Sequence, residues 1–216
     1  MIHDISAAIG ATSRTVRKSE RDGKPMEAVV AERNYDTGID DLWDALTSPE
    51  RLPRWFGNVS GEYKLGGRFQ IEGNAAGSIL ECDPPKTLKV TWEFAGGISW
   101  VEVHLRAVNA EETHLQLIHE AHVDPDWAAK YGPGAVGVGW DLWMLGLQTH
   151  LASGWSKPEG HDEEYGKTAD YKSFVRTSSD GWREASIAAG NDPAIAGPAA
   201  ASTTAFYLGE APPGGG

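Results

Sequence analysis

The sequence has little cysteine: Cys82 is the only one in 216 residues. A single thiol cannot form a disulfide within the chain or build a cysteine-only metal cluster. No apolar run approaches the roughly 20 residues that cross a bilayer as a helix, and no charged-then-apolar leader opens the chain. We therefore expect a soluble, cytoplasmic protein with no membrane span.

Basic residues are also scarce, with 19 Lys and Arg against 31 Asp and Glu and a formal net charge of −12. Such a surface repels phosphate backbones, so a nucleic-acid partner is not expected. Phosphate-loop, dinucleotide and Gly-x-Ser-x-Gly fingerprints are absent, which argues against nucleotide use and serine hydrolysis. His119 and His122 are three apart, so a regular strand directs them to opposite faces. We expect no metal and no other cofactor.

The most informative stretch that is present is the long apolar segment 137–154, bracketed by glycines. At helical spacing, Trp140, Trp143 and Leu147 fall on one face, while Val138, Leu142 and Leu145 fall on nearly the opposite face. A helix that is apolar on two sides is covered on two sides. We expect a sheet from the preceding residues on one side and the segment 170–208 on the other.

Residues 57–122 have the pattern of successive strands. Leu88, Val90, Trp92 and Phe94 alternate with polar residues, and Leu115, Leu117 and His119 share a face in a later strand. Regular alternation over successive strands indicates an antiparallel sheet with one solvent-exposed face. A strand at 27–35 and two short helices precede this region, so the order of elements predicts an α+β fold.

Several phrases in this order resemble a known family. They are Ser48-Pro49-Glu50 through Arg54-Trp55-Phe56-Gly57, Gly66-Gly67-Arg68-Phe69, Pro84-Pro85 through Thr91-Trp92-Glu93, Leu115 through His119, and Gly139-Trp140. Over about residues 27–153 the chain resembles the Bet v 1-like, START-related superfamily (SRPBCC), and within it the AHSA1-like branch. Its tail is similar to that of actinobacterial members. The resemblance implies a helix-grip fold, in which a curved antiparallel sheet wraps around a long C-terminal helix and leaves a cavity between them.

The resemblance divides the chain into three parts. Residues 1–26 form an N-terminal extension, 27–154 the helix-grip domain, and 155–216 a partly helical C-terminal extension that packs on the long helix and is disordered at its end. Asp192-Pro193 can begin a helix in this extension, and Gly197-Pro198 is expected to interrupt it.

The expected ligand-binding residues are mostly apolar and line the space between sheet and helix. The same side chains could instead simply fill the core. The set comprises Trp55, Phe69, Ile71, Trp92, Phe94, Leu115, Leu117, His119, Trp140, Trp143, Met144 and Leu147.

Three functions are open on these grounds, because a fold does not choose its function. The first is binding of a small hydrophobic or aromatic molecule. The second is a polyketide cyclase or aromatase reaction in the same cavity, with His119 or Glu81 moving a proton. The third is a co-chaperone or other protein-interaction module. The resemblance ties Hsp90 stimulation to proteins with an additional N-terminal domain, and residues 1–24 are too short for one, so an Hsp90 homologue is not expected as a partner. A homodimer is left open.

Overall fold

The computed structural model describes residues 10–211 of the chain. The first nine residues of the expected N-terminal extension lie outside this range, as does most of the disordered end expected for the C-terminal extension. The described strands are β1 (Ser13–Arg21), β2 (Lys24–Tyr35), β3 (Val59–Gly61), β4 (Arg68–Ile71), β5 (Ala76–Asp83), β6 (Thr87–Phe94), β7 (Gly97–Ala107) and β8 (Thr113–His122). The helices are α1 (Ile39–Thr47), α2 (Pro125–Tyr131), α3 (Gly134–Ser153), α4 (His161–Gly166), α5 (Ala169–Ala188) and α6 (Pro193–Leu208), with a 3-10 turn at Leu52–Arg54.

The strands form one eight-stranded antiparallel sheet in the order β1-β2-β8-β7-β6-β5-β4-β3. Most neighbours in this order are also neighbours along the chain, because short turns join them. At the β1–β2 turn, Asp22 and Gly23 both have positive φ, of 52° and 73°, which suits a two-residue hairpin turn. The predicted α+β class and antiparallel sheet are confirmed.

Contacts divide the chain into two compact units, which we name the central unit (residues 32–121 and 143–157) and the terminal unit (residues 1–31, 122–142 and 158–216, as far as these are described). The long helix α3 contributes its second half to the central unit and its first half to the terminal unit. The boundaries predicted at 26/27 and 154/155 stay a prediction.

In the central unit, α1, the 3-10 turn and the second half of α3 pack with the sheet. The hydroxyl of Tyr35 on β2 donates to the carbonyl of Met144 on α3, at 3.3 Å. The side chains of Leu42, Leu115 and Leu117 are completely buried. The face of the second half of α3 that is turned to the sheet is therefore buried in a continuous apolar core.

In the terminal unit, α5 and α6 cover the first half of α3. A Cβ at Gly137 would lie 2.2 Å from the indole of Trp182 on α5, so the two helices can pack this closely only because position 137 has no side chain. The hydroxyl of Tyr207 on α6 donates to the carbonyl of Ala135, at 2.9 Å. Val138 is completely buried.

Helix α6 runs through Pro198, so the predicted interruption at Gly197-Pro198 was wrong. The proline itself is exposed, whereas Ala196, Ala199 and Ala200 are buried. The missing proline N–H removes one hydrogen bond from the helix. Burial of the alanine face offsets this loss and keeps the helix continuous.

Candidate functional site

The inner face of the sheet in the central unit is apolar and follows the predicted alternation. On β8, residues 113, 115, 117 and 119 are buried while the residues between them are partly exposed. On β7, Val101, Val103 and Leu105 are buried in the same way. The register pairs Val101 with His119 and Val103 with Leu117, so these side chains form one continuous layer.

A polar pair interrupts this apolar layer. The imidazole Nε2 of His119 lies 2.7 Å from the hydroxyl of Ser99 on β7. The Ser99 hydroxyl donates to the carbonyl of Trp92, at 3.1 Å, which leaves its oxygen to accept from Nε2–H. The ring of Trp92 lies 6.1 Å from the imidazole, centroid to centroid.

His119 is uncharged in this environment. It is 8% exposed, and its burial lowers the pKa from 6.5 to about 4, because a charged imidazolium loses its hydration inside the protein. At neutral pH the ring is therefore a hydrogen-bonding group, and its low pKa makes it a weak general base.

Two of the predicted tryptophans meet at the second half of α3. The rings of Trp55 and Trp143 are 5.2 Å apart in an edge-to-face arrangement. The indole N–H of Trp55 donates to the carbonyl of Ala45 at the end of α1, at 3.0 Å. This bond fixes the Trp55 ring against α3, where Met144 and Leu147 are completely buried.

The other predicted ligand residues are not all in this cluster. Ile71 is buried and Phe69 is half-buried on β4, where the Phe69 ring lies so close to Gly77 that a Cβ there would be 2.8 Å from it. Phe94 is 57% exposed at the end of β6, so it is not part of the buried layer. Trp140 is buried but belongs to the terminal unit.

Glu81, the second candidate for proton transfer, lies at the surface. Its side chain is 49% exposed, and its carboxylate is 3.3 Å from the ammonium of Lys89, which also approaches Glu102 at 3.5 Å. The β5–β6 register shifts between Ile79 and Glu81. This bulge explains why simple alternation could not decide the direction of Glu81.

Ser99 is a candidate site residue that the sequence analysis did not identify. It has the same parity along β7 as Val101 and Val103, so its direction could have been inferred from alternation. Its pairing with His119 depends on the β7–β8 register, which no local pattern in the sequence states.

The terminal unit contains a buried carboxylate, Asp141 on α3. Its Oδ2 accepts from Arg14 Nε on β1 at 2.9 Å, from Trp182 Nε1 at 3.1 Å, and from the hydroxyl of Ser178. Burial raises the pKa of Asp141, and the charge of Arg14 opposes that shift. A buried ion pair with these hydrogen bonds ties β1, α3 and α5 together, which is a structural role.

Neither a metal cluster nor a membrane-spanning helix is evident in residues 10–211. No three His, Cys, Asp or Glu side chains in that range come together as a metal site. None of the helices described there is long and apolar enough to cross a membrane.

Sequence comparison matches residues 36–152 to the family described as "Activator of Hsp90 ATPase homolog 1-like protein", which covers more than half of the chain. The chain belongs to the AHSA1-like family. Among curated proteins, none shows significant sequence similarity to it.

Solved structures show the same relationship for this AHSA1-like chain. The crystal structure of CalU16 from Micromonospora echinospora is 30% identical over 67% of this chain and 88% of CalU16, with a TM-score of 0.58. The solution structure of CalU16 covers 83% of this chain and 97% of CalU16 at 26% identity, with a TM-score of 0.69. MLL2253 from Mesorhizobium loti is 26% identical over 58% of this chain and 96% of its own length, with a TM-score of 0.51.

DynU16, a protein of the dynemicin biosynthetic locus, is similar in fold alone. It is 22% identical over 60% of this chain and 48% of its own length, with a TM-score of 0.52. The eight-stranded antiparallel sheet, the long helix α3 and these structural neighbours establish the helix-grip fold that the sequence predicted.

Proposed function

We propose that this AHSA1-like protein binds a small, mainly apolar aromatic molecule between the inner face of the sheet and the second half of α3. The observation that carries the proposal is the buried, neutral His119, hydrogen-bonded to Ser99 in an otherwise apolar layer and adjacent to Trp92. Ligand sites are characteristically apolar with a few convergent polar groups that fix orientation. Both donors of the Ser99–His119 pair are already used within the protein, so we expect the pair to recognise a hydroxyl group of the ligand by accepting a hydrogen bond from it.

The aromatic side chains support an aromatic ligand over an aliphatic one. Trp55 and Trp143 already pack edge to face, and a flat ring system can extend this arrangement with favourable offset or edge contacts. The indole N–H of Trp55 donates to the carbonyl of Ala45, so a ligand would meet only the apolar ring of this side chain.

Binding is favoured over the cyclase or aromatase alternative. A pKa of about 4 makes His119 a poor proton acceptor at neutral pH. The other candidate, Glu81, is exposed and paired with Lys89. Co-chaperone activity rests on family membership, and membership alone does not assign a function.

The first test is native mass spectrometry of the protein purified gently from its own host, compared with the mass of the denatured chain. Extra mass that is lost on denaturation is the expected result, and its value identifies the retained molecule. A bare mass, with no shift across aromatic and lipid compounds that include 1,8-dihydroxyanthraquinone, would count against the proposal and favour an interaction module.

Substitutions then locate the site. His119→Leu is expected to weaken binding of 1,8-dihydroxyanthraquinone about tenfold, because one buried hydrogen bond is lost. The affinity is measured from the quenching of tryptophan fluorescence as the compound is added. The matched control is His114→Leu, on the same strand but with the opposite orientation, where His114 contacts Asn34 at 2.9 Å. Equal affinities of the two variants for this compound would show that His119 does not contact the ligand.

A further inference from the structure

The terminal unit contains a cavity of about 420 Å³ that is separate from the helix-grip site. Its walls come from the β1–β2 hairpin, α2, and the facing sides of α5 and α6, and every lining residue belongs to this unit. Pockets that bind small molecules are commonly about 300 to 1,000 Å³ in volume. The cavity is therefore large enough for a one- or two-ring molecule.

The walls of the cavity are largely apolar. Met26 on β2 is 1% exposed, and Ala196, Ala199 and Ala200 form one buried face of α6. These alanines reach only a short distance from the helix, so the space opposite them is left unfilled. An apolar ligand body would bury its surface here, and the removal of apolar surface from water favours binding.

One wall of the cavity contains a serine whose hydroxyl has no hydrogen-bond partner in the described part of the chain. Ser179 on α5 is 2% exposed and lines the cavity, and its Oγ has no hydrogen-bond partner within residues 10–211. The neighbouring Ser178 is also buried, but its hydroxyl donates to Asp141. Leaving a buried hydroxyl unpaired is costly, so an occupant that hydrogen-bonds to Ser179 would be favoured.

The rim of the cavity is polar and balanced in charge. Lys18 Nζ donates to Asn191 Oδ1 at 2.7 Å, and Asn191 Nδ2 donates to the hydroxyl of Ser186 at 2.9 Å. Glu27 lies at the same rim, where burial raises the pKa of its carboxyl group and the charge of Lys18 opposes that shift. Two basic residues, Lys18 and Arg183, and two acidic ones, Glu27 and Asp192, line the cavity, so the rim favours no net charge on the ligand.

We propose that this cavity is a second ligand site, which takes a small uncharged molecule with an apolar ring body and a hydroxyl or carbonyl group that hydrogen-bonds to Ser179. The proposal does not depend on the helix-grip site, because none of its residues lies in the central unit. The main rival occupant is ordered water, which would satisfy Ser179 without any affinity for ring compounds.

The test compares p-cresol with p-xylene, which differ by one hydroxyl in place of a methyl group. Each is titrated into the ¹⁵N-labelled full chain and followed by NMR. We expect p-cresol to shift the amide resonances of Ser179, Ala196 and Ala199. Ser179→Ala should weaken p-cresol binding about threefold to tenfold, the usual contribution of one hydrogen bond, and should change p-xylene binding less than twofold.

Two further variants separate occupancy of the cavity from other effects. Ala196→Leu fills the cavity and should abolish binding of both compounds, whereas Ala201→Leu, exposed on the same helix, should leave both affinities unchanged. The proposal is overturned if millimolar p-cresol leaves these cavity resonances unshifted, as water occupancy predicts. It is equally overturned if Ser179→Ala binds p-cresol as tightly as the wild type. Shifts confined to the Trp92 and His119 region would assign p-cresol to the helix-grip site instead and also refute it.

Discussion

Two adjacent serines of α5 differ in a way that determines their contribution to stability. Ser178 donates to the carboxylate of Asp141, which is 2% exposed and already paired with Arg14. Ser179 is equally buried but has no partner in the described part of the chain. Substitution by alanine therefore removes a hydrogen bond at position 178 but none at position 179.

We predict that Ser178→Ala lowers the free energy of unfolding by about 1 to 3 kcal/mol, because a buried carboxylate loses one of its donors. Ser179→Ala should be neutral or slightly stabilising, because it removes a buried hydroxyl that is unpaired. Urea unfolding of the two variants beside the wild type measures both effects. Equal losses would show that Ser179 has a partner in solution, such as ordered water.

The direction of a side chain could be predicted where the periodicity of its strand determines it. It could not be predicted where a contact with another element determines it. The inward direction of His119 followed from its strand parity with Leu115 and Leu117, and the structure agrees. The alternation of β6 also directed Phe94 inward, yet it is exposed because β6 ends there and the chain turns through Ala95 and Gly96. Ser99 was not predicted, because it is singled out only by its hydrogen bond to His119 on the neighbouring strand β8.

Helix α3 is rich in glycine, and its glycines have different neighbours. At Gly137 an added Cβ would lie 2.2 Å from the indole of Trp182, a rigid side chain that is completely buried. At Gly146 the nearest atom would be 3.6 Å away, at the carbonyl of Trp55, which is an ordinary van der Waals contact. Both residues are inside the same helix, so helix propensity alone favours alanine at both positions.

We predict opposite results for these two substitutions. Gly137→Ala should destabilise the protein by about 3 kcal/mol, because the indole must move in a packed interior. Gly146→Ala should stabilise it by about 0.5 to 1 kcal/mol, the usual gain when alanine replaces glycine in a helix. Thermal unfolding monitored by circular dichroism distinguishes the two. A loss at Gly146 as large as that at Gly137 would contradict the packing described.

Elements with a clear period were predicted from the sequence, and elements governed by packing were not. The long helix was expected at 137–154 and begins three residues earlier, at Gly134. The short helices α2 and α4 lie outside the periodic segments that the sequence singled out. Helix α6 continues past a proline because its buried alanine face stabilises it, and no local propensity could indicate this.

The whole molecule contains two compact units, and the sequence was far more informative about the central one. Its strands alternate over long stretches and its phrases match a family, so both its fold and an inner apolar layer could be predicted. The terminal unit joins segments from both ends of the chain with the middle of the sequence. Its cavity depends on the three-dimensional meeting of β1, β2, α2, α5 and α6, which no sequence pattern describes.

His119 contributes to the pH dependence of global stability. Its pKa is about 4 in the folded protein and about 6.5 when exposed, so between these values the unfolded chain binds a proton that the folded protein does not. Stability should therefore be fully present above about pH 6.5 and fall as pH decreases towards 4. Roughly 2.5 pKa units at about 1.4 kcal/mol each give a loss of about 3.5 kcal/mol.

The variant His119→Gln isolates this contribution, because glutamine has no proton to gain in that range. Other groups, including Asp141 with its raised pKa, titrate in both proteins and cancel in the difference. We expect the unfolding free energy of the wild type, measured in urea from pH 7.5 to 4.5, to fall more steeply than that of the variant. If the wild-type and His119→Gln curves run parallel, His119 is already solvated in the folded state, and the buried polar pair with Ser99 cannot be the recognition group of the ligand site.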